Sequence, residues 1–373
     1  MSELGTITCV GCALLCDDVT VEESGEDVRL RPECQLGGRW VSERWRPPAD
    51  APAATIDGRP AEIDAALMRA GELLRRARRP QLRGFDGATV EDARAAAALA
   101  DRIGALVTTG RADGPWPGAP AAPLRGISTA TLGEIRDRSR VVVIWREDPE
   151  TTHPRLLERL GFGSRGAGRV LVVIDDRDTA TTARADLRLS WPPERDLDAL
   201  VTLCDGDVDG LYERLAAVPH AAFVYGSGLT GGAGGQRRAL ALHELVRAMS
   251  HERHVVTLEL PRAPGTRSAD DVLAWQAGYS ERVDFASGHP ELVIATEPLD
   301  DVDVTLNIES GPGGGLVVGS ASEVWIRTAR AGVSAAGTVH RLDGVPLTLQ
   351  APRPDQAPTA AVLLTRLLAE VER

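Results

Sequence analysis

Apolar positions recur along the chain in two alternating patterns, and the alternation predicts helices layered against sheets. Between residues 62 and 79 they return at every third or fourth position, the spacing of one helix face. Residues 141–145 and 170–175 are instead almost continuous apolar runs, as strands buried on both faces require. The alternation continues to a predicted last helix at 359–372. The chain is therefore predicted to be an α/β protein with mostly parallel sheets.

The other predicted elements follow the same two patterns. Helices are predicted at 90–102 and 236–250, and strands at 19–22, 27–30, 81–84, 105–108, 221–225, 255–259, 292–296 and 302–308. Residues 110–127 are rich in Gly, Pro and Ala and predict a loop.

Proline and alanine at residues 46–52 predict a boundary, because such stretches rarely lie inside a helix or strand. We predict three domains: a cysteine-cluster domain at 1–52, an α/β domain formed by 53–138 and 218–373, and a second α/β domain inserted at 139–217. The first is smaller than an ordinary domain. The other two are expected to be Rossmann-like layers.

Composition and charge exclude several classes of function. The 373 residues carry 42 basic side chains, all arginine, against 54 acidic ones, which gives a net charge of −12 with 4 % aromatic residues. Proteins that bind nucleic acids show a basic surface with interleaved aromatic side chains, so we expect no nucleic-acid partner. No apolar run approaches the ~20 residues that span a bilayer. Residues 1–5 do not open a secretory signal. We expect no membrane partner and a cytoplasmic location.

Four of the five cysteines lie in the first tenth of the chain. Cys9, Cys12, Cys16 and Cys34 have the spacing C-x2-C-x3-C-x17-C, which in a cytosolic protein indicates metal binding rather than disulfides. Four thiolates in this pattern can enclose a [4Fe-4S] cluster. The alternatives are a zinc site with the same four ligands and a vestigial site that holds nothing. Cys204 is solitary and is expected to be a small buried apolar side chain.

A glycine-rich run follows the predicted strand at 221–225 and precedes a helix. It contains Gly226-x-Gly228-x-x-Gly231, a context in which backbone N–H groups can receive a phosphate. Residues 310–315 form a second glycine-rich run, which also follows a predicted strand. The three glycines are therefore candidate ligands of a dinucleotide or another anion. The alternative is a set of turns at the carboxyl edge of a sheet.

The remaining polar candidates are an acidic pair and two pairs of histidines: Asp175 and Asp176, His153 and His340, and His251 and His254. The acidic pair could bind a ribose hydroxyl, or it could cap a turn at a strand end. The histidines have no evident nucleophile or third metal ligand beside them in the sequence. We interpret all six as structural and assign no catalytic residue to this chain.

Several segments, in consistent order, carry a resemblance to one family: residues 8–18, 126–134, 141–145, 149, 153–155, 272–279, 283–285 and 337–347. Together they resemble the B subunit of formylmethanofuran dehydrogenase, of the molybdopterin oxidoreductase superfamily. The resemblance implies a fold of the formate dehydrogenase and DMSO reductase type, here lacking the C-terminal barrel.

The resemblance also implies a redox centre, for which this sequence lacks the ligands. In the archaeal enzymes a tungsten or molybdenum bis-pterin centre is held by a Cys-His-Gly-Pro motif, which would fall near residues 114–117. No cysteine lies between Cys34 and Cys204, and no histidine precedes His153. A thiolate ligand cannot come from a residue that is absent. We therefore expect the tungsten or molybdenum pterin to be absent.

A bacterial branch of the family performs no redox step and resembles this chain most in that respect. There, the B subunit is a scaffold of a formyltransferase/hydrolase complex. The complex moves a formyl group from tetrahydromethanopterin to a methanofuran-like carrier and hydrolyses it to formate in the one-carbon metabolism of formaldehyde. The implied partners are an amidohydrolase-type subunit, a formyltransferase subunit and a third scaffold subunit. Two alternatives stay open: an active tungsten or molybdenum dehydrogenase with Asp113 as the metal ligand, and an electron-transfer module with an intact cluster.

Overall fold

The computed structural model describes residues 2–25, 27–46, 51–109, 124–163, 168–293, 301–309, 314–319 and 322–373. The chain forms two units. Unit 1 lies within residues 1–113, 263–341 and 346–373, and unit 2 lies within 114–262 and 342–345.

The strands of both units are numbered here in chain order. They are β1 (Ser2–Ile7), β2 (Val19–Ser24), β3 (Asp27–Arg31), β4 (Ala54–Ile56), β5 (Arg59–Ala61), β6 (Pro80–Arg83), β7 (Leu106–Thr108), β8 (Val141–Trp145), β9 (Val170–Ile174), β10 (Leu187–Leu189), β11 (His220–Gly226), β12 (His254–Leu260), β13 (Arg282–Asp284), β14 (Glu291–Leu292), β15 (Val304–Glu309), β16 (Gly315–Val318), β17 (Val324–Arg327), β18 (Gly337–His340) and β19 (Pro346–Leu349).

The helices are numbered in the same way. They are α1 (Gln35–Arg44), α2 (Ile63–Arg76), α3 (Val90–Ile103), α4 (Leu132–Arg138), α5 (Pro149–Thr152), α6 (Leu156–Arg159), α7 (Asp196–Asp205), α8 (Leu211–Ala216), α9 (Ser227–Thr230), α10 (Gly235–Met249), α11 (Thr266–Ala277) and α12 (Ala360–Val371). Threonine hydroxyls at positions 89, 131 and 359 accept backbone N–H bonds and so fix where α3, α4 and α12 begin. Over the described ranges, no helix combines the length and the apolar character that crossing a bilayer demands.

Unit 2 is built on a five-stranded parallel sheet of order β10-β9-β8-β11-β12. Every residue of β8 and β11 is buried, which explains the unbroken apolar run of β8 and the apolar residues 221–225 of β11. The chain passes from β8 to β9 and β10 in one direction and then returns to β11 on the other side of β8. The strand order therefore reverses between β8 and β11, and open α/β sheets bind ligands at the carboxyl side of such a reversal.

Unit 1 is built on a nine-stranded mixed sheet of order β14-β13-β7-β6-β15-β16-β17-β4-β5. Only β7, β6 and β15 are parallel neighbours in it, and the remaining described pairs are antiparallel. Its core joins these strands to α2, α3 and α12. The expectation of mostly parallel sheets is therefore met in unit 2 but not in unit 1, because antiparallel strands extend the three parallel ones on both sides.

The two units divide the chain differently from the three predicted domains. Residues 218–262, predicted to lie in the first α/β domain, supply β11 and β12 to the sheet of unit 2. An apolar run does not reveal which sheet it joins, so the boundary could not be found from the pattern. Residues 1–52, predicted as a separate domain, lie in unit 1. There Thr8 N donates to Gln350 Oε1 at 2.9 Å, and Thr8 Oγ1 donates to Thr348 O at 3.0 Å.

Candidate functional site

The N-terminal cysteines are gathered by a tight loop and by the start of α1. Cys9 N donates to Cys16 O at 2.8 Å, which closes the loop around Cys12. Cys34 precedes α1, and its Sγ accepts the Gly37 N–H at 3.2 Å. A Cβ built on Gly37 would lie 3.3 Å from both Cys9 Sγ and Cys34 Sγ. The second segment thus brings its sulfur to the same point as the first loop, and the glycine leaves room for both.

Burial and mutual repulsion govern the protonation of these thiols. Burial raises the pKa of Cys9 far above its ordinary value and that of Cys12 to about 12, and the neighbouring cysteine sulfurs raise both further. Both thiols are therefore protonated at neutral pH in the metal-free chain, and binding a metal would release their protons. The Gly11 N–H donates to Cys9 Sγ at 3.3 Å. Hydrogen bonds of this kind to sulfur tune iron–sulfur clusters.

The four cysteines are candidate ligands of an iron–sulfur cluster or of a single ion. In the part of the chain that the structure describes, no group of three or more His, Cys, Asp or Glu side chains is placed to hold one metal ion. Zinc needs four ligands at about 2.3 Å, so their sulfur atoms must crowd together, whereas an iron–sulfur cube separates them by its own width. Zinc ligation and a vestigial, empty site stay the alternatives. Iron–sulfur ligation by the four cysteines stays a prediction.

The glycine run after β11 lies at the strand-order reversal of unit 2, but its polar groups are used within the unit. Gly228 N donates to Glu147 Oε1 at 2.7 Å. Arg238 of α10 donates to the carbonyl oxygens of Leu229 and Gly231, each at 2.6 Å. A phosphate cradle presents free N–H groups to its ligand. Here one N–H is occupied by a carboxylate, and the carbonyls of the run are bound to a guanidinium.

The glycines of this run are required by neighbouring parts of the chain. A Cβ on Gly228 would overlap the carbonyl oxygen of Arg146, and one on Gly226 would lie 2.7 Å from Glu147 Oε1. A Cβ on Gly231 would overlap the carbonyl oxygen of Ser227. These contacts favour the alternative of close-packed turns, and dinucleotide binding by the three glycines stays a prediction.

A buried ion network holds the turn after β8. Arg146 adopts a φ of +56°, a left-handed conformation that is uncommon outside glycine. Its Nε donates to Asp196 Oδ2 at 2.9 Å, and both side chains are almost fully buried. Asp196 Oδ1 also accepts the indole N–H groups of Trp145 at 3.0 Å and Trp191 at 2.9 Å. These bonds fix the direction in which the chain leaves the strand.

The acidic pair at the end of β9 is also bound internally. Asp175 Oδ1 accepts Arg177 N at 2.9 Å and Arg177 Nε at 3.0 Å. Asp176 Oδ1 accepts Arg146 Nη1 at 2.7 Å. The pair therefore acts as the turn cap that was the structural alternative to ribose binding.

The histidines singled out from the sequence have structural surroundings. His340 Nδ1 lies 2.6 Å from Asp271 Oδ2. His153 is buried, and burial lowers its pKa to about 4. His251 and His254 are exposed at the end of α10 and the start of β12. These contacts fit the structural interpretation.

One arrangement that the sequence did not indicate has the order of a hydrolytic triad. Ser139 Oγ lies 2.9 Å from His220 Nδ1, and His220 Nε2 lies 3.9 Å from Glu134 Oε1. Ser139 is only 1 % exposed, however, and it follows α4 just before the amino end of β8. A buried hydroxyl cannot attack a substrate, so these residues form a core contact rather than an active site.

Two predicted features fall outside the described residues. The first is the segment 113–117, where the resemblance places a metal ligand and which includes Asp113. The second is residues 310–313 of the second glycine-rich run. Glu147, in contrast, is well described but was not among the residues predicted from the sequence. The sequence does show that Glu147 closely follows a buried strand. Its contact with the glycine run, however, depends on the order of the strands in the sheet, which the sequence does not show.

The known proteins that this chain resembles point in one direction. No protein-family model matches the chain. It is 24 % identical over 401 residues to the B subunit of the tungsten-containing formylmethanofuran dehydrogenase 2 of Methanocaldococcus jannaschii, covering 92 % of each chain. The corresponding protein of Methanococcus maripaludis is 24 % identical over 407 residues, covering 94 % of each. The resemblance to the B subunit is confirmed.

The fold is matched by a solved structure. A chain of the formyltransferase/hydrolase complex from Methylorubrum extorquens, crystallised with methylofuran, superimposes with a TM-score of 0.70 at 24 % identity. The match covers 86 % of this chain and 99 % of that one. The mixed α/β architecture, with one parallel and one large mixed sheet, is therefore that of a chain found in such a complex.

Proposed function

We propose that this chain is a redox-inactive B subunit of a formyltransferase/hydrolase complex. The observation that carries the proposal is the structural match, which spans 99 % of a chain from a complex of that kind. The match therefore spans that chain as a whole, rather than one part of it. Fold likeness alone does not define function, so the proposal also rests on the residues present.

In this role the chain is a scaffold for chemistry on its partners. The complex would transfer a formyl group from tetrahydromethanopterin to a methanofuran-like carrier and hydrolyse it to formate. Amidohydrolase-type, formyltransferase and third scaffold subunits would be its partners, in the cytoplasm. The absence of any cysteine between Cys34 and Cys204 supports a scaffold without a tungsten or molybdenum centre.

The cysteine segment would then serve assembly. Cys9, Cys12, Cys16 and Cys34 would hold a [4Fe-4S] cluster, which joins the first loop to the start of α1 when bound. A cluster at that place would benefit from the positive end of the helix dipole. We infer that this small cysteine part, followed by two α/β layers without a C-terminal barrel, is the minimal scaffold of the complex.

The second candidate is an active tungsten or molybdenum formylmethanofuran dehydrogenase. It is favoured by the curated relatives, which are named as tungsten-containing enzymes. It would need a ligand other than cysteine, such as Asp113. Its pterin could use Gly226, Gly228 and Gly231 only if the contacts of this run with Glu147 and Arg238 were released.

An assay of the purified complex separates the two candidates. The tagged chain is purified anaerobically from its own cells, and formate release from a formylated carrier is measured with and without a viologen dye. We expect the partner subunits to copurify and formate release to be independent of the dye. Reduction of carbon dioxide by the complex with reduced viologen would contradict a redox-inactive role for this chain.

A further inference from the structure

The strand-order reversal of unit 2 has the elements of an anion site. The carboxyl ends of β8 and β11 are adjacent, with Trp145 opposite Tyr225 in the parallel ladder. Two residues after Trp145 comes Glu147, and two residues after the glycine that ends β11 comes Gly228. At this edge of an open sheet, backbone N–H groups and nearby cations commonly bind an anionic ligand.

The side chain of Glu147 already makes the contacts that such a ligand would make. Its Oε1 accepts the Gly228 N–H at 2.7 Å. Burial raises the pKa of Glu147, while this N–H and the positive charges of Arg262 and Arg177 oppose that rise. The carboxylate thus accepts one backbone N–H and lies within the electrostatic reach of two guanidinium groups, surroundings that would also attract a phosphate.

The fit between the carboxylate and the run leaves no room for a second anion at this position. Gly226 must lack a Cβ because Glu147 Oε1 would stand 2.7 Å from it, and Gly228 must lack one because of the carbonyl before Glu147. Arg262 Nε is also engaged, since it donates to Ser227 Oγ at 2.8 Å. The glycine spacing that predicts a ligand is thus explained by the chain's own carboxylate.

We propose that Glu147 is an internal anion that fills the strand-order reversal of unit 2 and makes this site reject phosphate-bearing ligands such as nucleoside diphosphates. The inference rests on contacts within unit 2 and does not depend on the proposed assembly. It would explain how a dinucleotide-type sheet edge can be kept intact without a bound dinucleotide.

Calorimetric titration of the full chain with guanosine 5′-diphosphate tests the proposal. Wild type should show no saturable binding, whereas Glu147→Ala should bind saturably, with an affinity at least about tenfold above the weakest that the titration can detect. Glu150→Ala is the matched control, because Glu150 lies in the same segment but pairs with Arg184 Nη1 at 2.8 Å. It should behave as wild type. Binding by wild type as tight as by Glu147→Ala would overturn the proposal, and so would a folded Glu147→Ala that does not bind.

A second variant keeps the test decisive if Glu147→Ala does not fold. Glu147→Ser removes the carboxylate and the atoms that reach Gly228, and keeps a small polar side chain. Addition of guanosine 5′-diphosphate should then shift the Gly228 amide resonance in Glu147→Ser and leave it unchanged in wild type. A shift in both proteins, or in neither, would contradict the proposal.

Discussion

The carboxyl edge of the sheet in unit 2 and the cysteine segment in unit 1 both carry a sequence motif of cofactor binding, but their polar groups are satisfied differently. At the sheet edge, Glu147 and Arg238 bind the glycine run from within the same unit. In the cysteine segment, the pKa of Cys9 and Cys12 is raised by burial and by the neighbouring cysteine sulfurs. A motif shows where a ligand can bind, and the neighbouring side chains decide whether that place is free.

We expect the largest loss of stability when all four N-terminal cysteines are replaced. Structural metal binding is coupled to folding, so the quadruple Cys→Ser variant at 9, 12, 16 and 34 should lose more than about 5 kcal/mol of stability. Thermal unfolding and recovery of the assembled complex would measure it. Cys204→Ser is the control and should stay within about 1 kcal/mol of wild type. Normal assembly with a loss of formate release would contradict a structural role for these thiols.

We expect the second-largest loss of stability when Asp196, the shared acid of the buried network in unit 2, is removed. Asp196→Ala leaves the Arg146 guanidinium and two indole N–H groups without their shared carboxylate, at a cost of about 3–5 kcal/mol. Asp198→Ala changes an exposed acid in the same first turn of α7 and should cost at most about 1 kcal/mol. Urea unfolding of the three proteins would measure the difference. Equal losses for both variants would show that the network is not important to unit 2.

A single methyl group should distinguish packed glycines from free ones. Gly228→Ala would press against the Arg146 carbonyl and should cost about 1–3 kcal/mol, or more. In Gly133→Ala the new Cβ meets nothing closer than Thr131 Oγ1 at 3.9 Å, and α4 should be stabilised by about 0.5–1 kcal/mol. Chemical denaturation of both variants is the measurement. A neutral Gly228→Ala would mean that the run is open and could receive a ligand.

Acid should weaken unit 2 through a buried histidine, while the thiols of Cys9 and Cys12 keep their protons. Burial lowers the pKa of His243 to about 4, so between pH 6.5 and 4 the unfolded chain binds a proton that the folded chain does not. Stability is therefore complete above pH 6.5 and falls by about 2 kcal/mol at pH 5 because of this group. Urea unfolding at pH 7.5 and 5 should show a smaller fall in His243→Phe than in wild type. The exposed His251→Phe should fall as wild type does, and an equal fall in all three would contradict the assignment.

The parts of the fold that the sequence predicts well are those whose pattern is local. The runs at 141–145 and 170–175 match β8 and β9 because a strand buried on both faces must be apolar at every position. The amphipathic spacing at 62–79 likewise predicts α2, which the structure ends at Arg76. A periodic pattern marks an element without needing its neighbours.

The features that the sequence does not predict are those that depend on which strands pair in the sheet. Nothing in the apolar runs at 221–225 and 255–259 indicates that β11 pairs with β8 and that β12 pairs with β11. The strand-order reversal, and with it the position of Glu147 against Gly228, follows from that pairing. The cysteine motif, in contrast, is visible in the sequence. The spacing names the ligand residues but does not determine which metal or cluster they bind.

Metal and pterin analysis of the anaerobically purified complex tests the central claim most directly. We predict about four iron atoms per copy of this chain, as one cubane cluster requires, and no tungsten, molybdenum or extractable pterin. Stoichiometric tungsten or molybdenum together with pterin would contradict the claim, and would make Asp113 the next ligand to test.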